Sequence, residues 1–172
     1  KRLIKYLLNN RMKEIALVGN PNCGETTLFN LLTGLNHRVG NFPGITVQKK
    51  EGSWKGRNND YSIVDLPGTY SIYPKTPEEK VVQKYLTGSQ PDIVIVVLDS
   101  TNLKRNLLLL TQVADLKIPT VAIFNMADLA KSKGININVE LFTELTGINA
   151  ALVNARNGEK NTIEKLIQKM LN

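Results

Sequence analysis

A short glycine-containing segment between an apolar run and a helical pattern constrains this chain more than any other feature. Residues 19–26 read Gly-Asn-Pro-Asn-Cys-Gly-Glu-Thr and follow the apolar run 15–18. Apolar side chains recur at helical spacing over 28–32, so the segment joins a predicted strand to a predicted helix. In this context a loop of backbone N–H groups can surround a phosphate. The sequence therefore predicts an α/β protein built around a phosphate-binding loop.

One residue of this loop departs from the pattern G-x-x-x-x-G-K-[ST]. Gly19 and Gly24 match its glycines, and Thr26 stands where a hydroxyl binds Mg²⁺. Position 25, however, is glutamate instead of lysine. A strand, a turn with two glycines and a helix also occur as ordinary structural connections. The loop alone leaves both interpretations open, and the rest of the chain has to decide.

The charge of the chain does not indicate a nucleic-acid partner, although its net value is +7. Residues 1–13 contain five basic and no acidic residues. The remaining 17 basic and 15 acidic residues nearly balance. Because the body of the protein lacks a basic excess, we expect no nucleic-acid binding.

Hydropathy and cysteine content exclude two further classes. The longest apolar run, Ile93–Leu98, has six residues and is too short to cross a bilayer. The single cysteine, Cys23, excludes an internal disulfide framework. We expect one soluble domain in a reducing, cytosolic setting, with Cys23 serving in loop packing more than as a reactive thiol.

The first eleven residues are predicted to lie outside the domain. They combine apolar residues at helical spacing with basic ones, which is also typical of a membrane-surface or partner helix. Met12 precedes the first strand and would make a natural initiator. We therefore expect 1–11 to be an upstream extension or an expression remnant, and 12–172 to be the domain.

A long polar connection and a hairpin follow the first helix. The connection, residues 35–45, has no clear period and ends at Thr46. A connection of this length within a compact domain is usually functional. The segments 46–54 and 60–64 are predicted to form a β-hairpin with 55–59 as its turn.

The second hairpin strand leads directly into Asp65-Leu66-Pro67-Gly68. Asp65 can contribute to the Mg²⁺ shell, and the Gly68 N–H can reach a γ-phosphate. Thr46, at the end of the connection, can meet the same ion and phosphate. The D-x-x-G pattern alone is weak evidence for a nucleotide site, but its distance from the glycine loop strengthens that evidence.

A third polar element follows a later strand, 120–124. In Asn125-Met126-Ala127-Asp128, the Asp128 carboxylate can accept the ring N–H and the exocyclic amine of guanine. Adenine lacks this pair of donors and would leave the carboxylate unsatisfied. Asn125 is expected to brace neighbouring loops. The alternative is an ordinary turn after a strand. Near the end of the chain, a backbone N–H within 154–156 can reach the guanine carbonyl.

These elements occur in the order found in GTPases, and residues 12–172 resemble the cytoplasmic G domain of the bacterial and archaeal ferrous iron transport protein B (FeoB) family. The resemblance rests on GNPNCGETTLFN at 19–30, VGNFPGITV at 39–47, DLPGTYS at 65–71 and NMAD at 125–128. It implies a three-layer α/β fold of the P-loop GTPase (Ras-like) type. We expect a mostly parallel six-stranded sheet, with one antiparallel edge strand and helices on both faces.

The resemblance also implies GTP hydrolysis with Mg²⁺ and, in some members, K⁺. Thr69 occupies the position after D-x-x-G where Ras-like proteins carry glutamine. Asn22 and backbone carbonyls near Gly40 and Phe42 would hold the K⁺, which would stabilise the transition state. The family's helical regulatory domain and its membrane-spanning, iron-conducting part are missing from this sequence. The chain is therefore expected to be a soluble fragment from the cytoplasmic side of the membrane.

The resulting candidate residues fall into three groups. The expected guanine-nucleotide contacts are Gly19, Asn20, Pro21, Asn22, Cys23, Gly24, Glu25, Thr26, Thr27, Asp65, Gly68, Asn125, Met126, Asp128, Asn154, Ala155 and Arg156. The expected catalytic residues are Asn22, Glu25, Thr46, Gly68 and Thr69. The expected Mg²⁺ ligands are Thr26, Thr46 and Asp65, and the K⁺ ligands implied by resemblance are Asn22, Gly40 and Phe42.

Glu25 separates two functional hypotheses. The first is a GTP-hydrolysing switch that regulates iron uptake and is impaired by the glutamate. With glutamate, an attraction of about 4 kcal/mol at 4 Å is replaced by a repulsion. A G domain that binds nucleotide weakly and acts as a regulatory module is then the alternative. We expect position 25 to lie in a solvent-facing loop. A ribosome-associated GTPase is disfavoured by the balanced body charge and by NMAD.

Overall fold

The computed structural model describes residues 12–57 and 59–171, so the predicted extension 1–11 lies outside the described residues. Seven strands form one sheet: β1 (Lys13–Gly19), β2 (His37–Asn41), β3 (Gln48–Lys55), β4 (Asp60–Asp65), β5 (Ile93–Asp99), β6 (Thr120–Asn125) and β7 (Asn149–Leu152). The helices are α1 (Glu25–Thr33), α2 (Pro77–Lys84), α3 (Leu103–Asp115), α4 (Ala127–Ser132), α5 (Val139–Thr146) and α6 (Lys160–Leu171). A π-helical turn, Tyr85–Ser89, extends α2, and a short 3₁₀ turn, Ala155–Asn157, precedes α6.

The sheet has the order β2-β3-β4-β1-β5-β6-β7. β3 runs antiparallel to both of its neighbours, and the remaining pairs are parallel. The predicted fold class is confirmed, but the sheet has seven strands where six are predicted. The extra strand is β2, which lies within the connection predicted over 35–45. Because four of its five residues are exposed, it shows no apolar alternation and is held mainly by backbone pairing with β3.

Alternation along the central strand β1 places helices on both faces of the sheet. Ile15 and Leu17 belong to one core, which also holds the buried residues of α1 and α6. Ala16 and Val18 belong to the other, which holds the buried residues of α2 and α3. Successive strand residues point to opposite faces, so a fully apolar strand is buried by helices on both sides. This produces the three layers.

The parallel strands end at one edge of the sheet, and this edge carries the predicted motifs. Register pairs Leu17 with Asp65 and Asp99 with Asn125. The glycine loop follows β1 at the same edge. In open parallel sheets, ligands bind outside these carboxyl ends. The fold therefore brings the three predicted motifs together. Across the described ranges, no helix is long and apolar enough to cross a membrane.

Candidate functional site

A cavity of about 740 Å³ lies between the glycine loop, the start of β3 and the segment after β4. Its lining comprises Asn20, Pro21, Asn22, Gly24, Glu25, Thr26, Thr27, Thr46, Val47, Gln48, Lys50, Asp65, Leu66, Pro67, Gly68, Pro77 and Glu78. The three proposed Mg²⁺ ligands are among these residues. The structure thus brings together the glycine loop, the threonine that ends the polar connection, and the D-x-x-G segment.

A second cavity of about 490 Å³ adjoins the first. It is lined by Asn22, Gly24, Thr27, Asn125, Met126, Asp128, Leu129, Asn154, Ala155 and Arg156. Asn22, Gly24 and Thr27 border both cavities. The residues predicted for the guanine end therefore lie together, and the same loop connects them to the phosphate end.

Asn125 joins the loops around both cavities. Its buried side chain donates a hydrogen bond from Nδ2 to the Cys23 carbonyl oxygen at 3.0 Å, and its Oδ1 accepts one from the Ala155 N–H at 3.0 Å. Gly24 is required beside it, because a Cβ there would lie 2.2 Å from Asn125 Nδ2 and because φ is +90°. The structure contains the brace expected from the sequence.

Asp128 stands at the rim of the second cavity with an exposed side chain. Its backbone N–H donates to Asn154 Oδ1 at 2.9 Å, and its own Oδ1 accepts from the Leu129 N–H at 2.8 Å. These contacts fix the carboxylate near the start of α4. Met126, with φ of 60°, makes the left-handed turn that brings Asp128 there.

Glu25 is buried, which corrects the expectation of a solvent-facing position. It is the first residue of α1 and only 8% of it is exposed. Burial raises the pKa of Glu25 well above its ordinary value, and the charge of Asp65 and a hydrogen bond with Asp65 raise it further. No hydrogen-bond partner reaches Glu25 Oε1 within the described residues. The site therefore favours a neutral carboxyl group at position 25.

Asp65 is the second member of this carboxyl pair. Burial raises its pKa, while the hydrogen bond from Glu25, the charge of Lys50 and a hydrogen bond from Thr26 lower it. Both pKa values are raised, yet the shared hydrogen bond acts in opposite directions on the two groups. The hydrogen bond between them raises the pKa of Glu25 and lowers that of Asp65.

The donor set fits Mg²⁺ bound together with phosphates. Thr26, Thr46 and Asp65 line one cavity and offer hydroxyl and carboxylate oxygens, the ligands that Mg²⁺ prefers. Within the described residues there is no cluster of three or more His, Cys, Asp or Glu side chains that could hold a metal. A magnesium ion at this edge would therefore need phosphate or water oxygens as further ligands, as is usual for this ion.

Three of the predicted residues, Gly19, Cys23 and Thr69, stabilise the loop without lining either cavity. Cys23 is 1% exposed, and burial together with the Glu25 charge raises its pKa to about 12, consistent with a packing role. The Thr69 N–H donates to the Gly19 carbonyl oxygen at 2.9 Å. The Thr69 hydroxyl donates to the Ser71 carbonyl oxygen at 2.7 Å, and the residue is 1% exposed. The structure therefore does not bring the Thr69 side chain into the cavity.

The two K⁺ positions implied by resemblance also lie away from the cavity lining. Gly40 is within β2 and pairs with Lys49 of β3. Phe42 is 5% exposed and packs its ring against Tyr85, with centroids 6.0 Å apart. Of the three residues named for K⁺, only Asn22 lines the cavity. Pairing of β2 with β3 holds Gly40, and the Phe42 N–H donates to the Val47 carbonyl oxygen at 3.0 Å.

Seven residues that line the first cavity were absent from the predicted site residues: Val47, Gln48, Lys50, Leu66, Pro67, Pro77 and Glu78. Lys50 pairs directly with Asp65 across β3 and β4. The hairpin pairing could have revealed it, but the sequence predicts only two strands and a turn over 55–59, with no register between them. The observed register pairs Lys55 with Asp60. Strand β3 therefore extends one residue into the predicted turn.

The sheet order, the glycine loop and the two joined cavities are those of P-loop GTPase domains, and this is the class that fold and site define. The family model described as ferrous iron transport protein B (FeoB_N) matches residues 13–170, and the chain belongs to this family. The resemblance inferred from the motifs is thereby confirmed.

Individual relatives agree with this assignment. The Fe(2+) transporter FeoB of Leptospira biflexa is 44% identical over 148 residues, covering 86% of this chain and 21% of that protein. The G domain of the T. maritima FeoB iron transporter matches with a TM-score of 0.84 and 34% identity, covering 92% of this chain and 98% of that one. An S. thermophilus NFeoB mutant bound to mGDP matches with a TM-score of 0.85 and 43% identity, over 93% of this chain and 60% of that one.

The chain corresponds to one part of its curated relatives. It spans about a fifth of the length of the transporter from Leptospira biflexa and a quarter of that from Helicobacter pylori. By contrast, it covers nearly all of the isolated G domain from T. maritima. The region shared with the relatives is thus their G domain.

Proposed function

We propose that this chain is the guanine-nucleotide-binding domain of a ferrous iron transporter, that it binds and hydrolyses GTP, and that its nucleotide state regulates Fe(II) uptake. The observation that carries the proposal is the Asn125 bridge, which joins the glycine loop to the loop after β7. It places the cavity with Asp128 next to the cavity with Asp65. One nucleotide can then place its base in the cavity with Asp128 and its phosphates in the cavity with Asp65. The relatives solved with GDP and mGDP support this choice of ligand.

Different groups of residues make separate contacts with the nucleotide phosphates and their cations. Backbone N–H groups of the glycine loop and the start of α1 face the phosphates. Thr26, Thr46 and Asp65 would hold Mg²⁺, and the ion would supply positive charge next to the phosphate oxygens. The Gly68 N–H donates toward the γ-phosphate. Asn22 lines both cavities and can hold K⁺ near the phosphates.

The guanine base is selected in the cavity that Asp128 lines. The Asp128 carboxylate accepts the ring N–H and the exocyclic amine of guanine. The contact from Leu129 keeps it oriented before the base arrives. A backbone N–H of Asn154, Ala155 or Arg156 donates to the guanine carbonyl. Thr69 acts indirectly, by fixing the segment after Gly68 to Gly19.

Glu25 weakens this function in our proposal. It occupies the phosphate end, where a neutral or negative carboxyl group replaces the ammonium of the motif. The loss of that positive charge lowers nucleotide affinity, and it lowers hydrolysis further because charge grows on the phosphates in the transition state. A domain that binds nucleotide weakly and acts as a regulatory module is the second candidate, and buried Glu25 is the observation in its favour.

The longer protein supplies the remaining parts of the proposal. The domain, residues 12–172, would act on the cytoplasmic side of a membrane. Its partners would be the helical regulatory domain and the iron-conducting part of the same protein. Residues 1–11 would precede the domain as an extension.

Titration calorimetry with GDP, GTP and ATP tests the nucleotide-binding proposal, using this chain and its Glu25→Lys variant. We expect both proteins to prefer guanine over adenine nucleotides and the variant to bind more tightly. The proposal fails if neither protein binds guanine nucleotides, or if ATP binds as well as GTP. Measurable hydrolysis by the original chain would favour the switch, and its absence despite binding would favour the regulatory module.

A further inference from the structure

The phosphate end of the cavity lacks the cation that its glycine loop would normally provide. Glu25 stands at the lysine position, and Asp65 and Glu78 add further acidic groups to the lining. Among the described residues that line this cavity, the one cation is Lys50 of β3. The only positive side chain is therefore supplied by the sheet.

The position of Lys50 is set by strand pairing. Lys50 and Asp65 are direct partners in the antiparallel pair of β3 and β4. Directly opposed residues project from the same face of a sheet, so the Lys50 side chain extends along that of Asp65. Stacked Trp54 and Tyr61, with ring centroids 4.9 Å apart, form another directly opposed pair and fix this register.

Lys50 is only loosely held by its acidic neighbour. Its Nζ lies 4.0 Å from Asp65 Oδ2, beyond hydrogen-bond distance. Lys49, next in the strand, lies 2.9 Å from Glu51 Oε2, and both lysine side chains are 29% exposed. The Lys50 ammonium can therefore turn toward an anion in the cavity without first breaking a short ion pair.

We propose that Lys50 supplies, from β3, the positive charge toward the nucleotide phosphates that the glycine loop lacks at position 25. This inference rests on the proposed function, because it assumes a guanine nucleotide with its phosphates in this cavity. A lysine ammonium suits the role, since it acts as a compact point charge on a flexible stem and can reach a phosphate from a neighbouring strand. The phosphate-binding cation is thus moved from the loop to the sheet.

Lys50→Gln tests the proposal, with Lys49→Gln as the matched control. The two lysines are adjacent and equally exposed, but only Lys50 lines the cavity. We expect Lys50→Gln to weaken GDP binding at least about tenfold, equivalent to about 1.4 kcal/mol. We expect Lys49→Gln to change it less than about twofold, since it lies outside the cavity, and Lys50→Arg to retain most of the affinity. Circular dichroism of each variant verifies folding.

Repeating the titrations with EDTA separates a phosphate contact from an effect through the metal. If Lys50 contacts the phosphates, the loss caused by Lys50→Gln persists without Mg²⁺. If it only orients Asp65 for Mg²⁺, the loss disappears in EDTA, and the proposal is overturned.

A double-mutant cycle with Glu25→Lys gives an independent test. With lysine restored to the loop, Lys50→Gln should cost less than in the original chain, because the two cations serve the same phosphates. Equal costs in both backgrounds would show that Lys50 does not compensate for Glu25.

The remaining outcomes separate this inference from the function on which it rests. If neither the original chain nor Glu25→Lys binds guanine nucleotides, the proposed function itself fails. If only Glu25→Lys binds measurably, the domain is a nucleotide-binding one but Lys50 does not replace the missing lysine. If the original chain binds and both glutamine variants bind equally well, only the inference about Lys50 is wrong.

Discussion

The carboxyl group of Glu25, at the start of α1, shares a hydrogen bond with that of Asp65, at the end of β4. The two groups belong to motifs 40 positions apart in the sequence, yet both lie at the phosphate end of one cavity. In the motif, residue 25 carries a positive charge and Asp65 binds a metal through its negative charge. The glutamate replaces an opposite-charge arrangement with two neighbouring acids, and the charge of Asp65 raises the pKa of Glu25.

Restoring lysine at position 25 should strengthen nucleotide binding. We expect Glu25→Lys to raise GDP and GTP affinity at least about a hundredfold, or about 2.7 kcal/mol. The reason is that an ammonium replaces a carboxyl group next to the phosphates. Isothermal titration at fixed Mg²⁺ and K⁺ measures the change, and Glu144→Lys, at an exposed position of α5, controls for net charge. Equal affinities of the original chain and Glu25→Lys would mean that Glu25 does not face the phosphates.

The carboxyl pair should also make the metal-free domain lose stability as pH rises. The folded-state pKa of Glu25 is raised, so the folded protein binds more protons than the unfolded one above pH about 4.5. Stability therefore falls as pH increases through the raised pKa. Glu25→Gln should remove this part of the pH dependence. Its free energy of unfolding, compared with that of the original chain, should therefore be more favourable at pH 8 than at pH 5.

Urea unfolding in EDTA at several pH values measures this effect. Glu144→Gln, on the exposed surface of α5, serves as the control and should keep the pH dependence of the original chain. Parallel pH profiles for Glu25→Gln and the original chain would contradict a buried, protonated Glu25.

Selection of guanine should depend on Asp128. In Asp128→Asn, an amide replaces one acceptor oxygen and faces the guanine donors. Preference should therefore move from guanine toward xanthine nucleotides by at least about tenfold, or about 1.4 kcal/mol. Competition between GDP and xanthosine diphosphate measures the ratio. An unchanged preference would show that another residue reads the base.

Removing the Asn125 side chain should reduce both stability and nucleotide affinity. Asn125→Ala leaves the Cys23 carbonyl and the Ala155 N–H without their partner at a buried position. Each unsatisfied buried group costs about 1–3 kcal/mol. Chemical unfolding measures the stability, and GDP titration measures the affinity. Asn157→Ala, at an exposed position, is the control and should match the original chain in both. A variant that loses stability but keeps full affinity would limit Asn125 to a structural role.

The sequence alone determined the order of elements and the identity of most site residues. The glycine loop, D-x-x-G and N-x-x-D each combine a strand end with a turn, and such signals are local because periodicity and glycine conformation depend on neighbouring residues. Their meeting at one edge follows from the parallel strands that precede them. For these reasons the fold class and the Asn125 brace could be predicted before the structure.

Only the tertiary structure decided the environment of those residues. The sequence predicts a solvent-facing Glu25, yet only 8% of the residue is exposed. Its burial depends on packing against the region of Asp65, which is distant in the sequence. The strand β2 carries little apolar signal and forms through backbone pairing with β3, which holds Gly40 away from the cavity lining. Lys50 lies in the cavity lining because the observed hairpin register pairs it with Asp65, and the sequence did not predict this register. A one-residue shift turns every side chain of a strand to the other face, so register fixes which lysine lies beside Asp65.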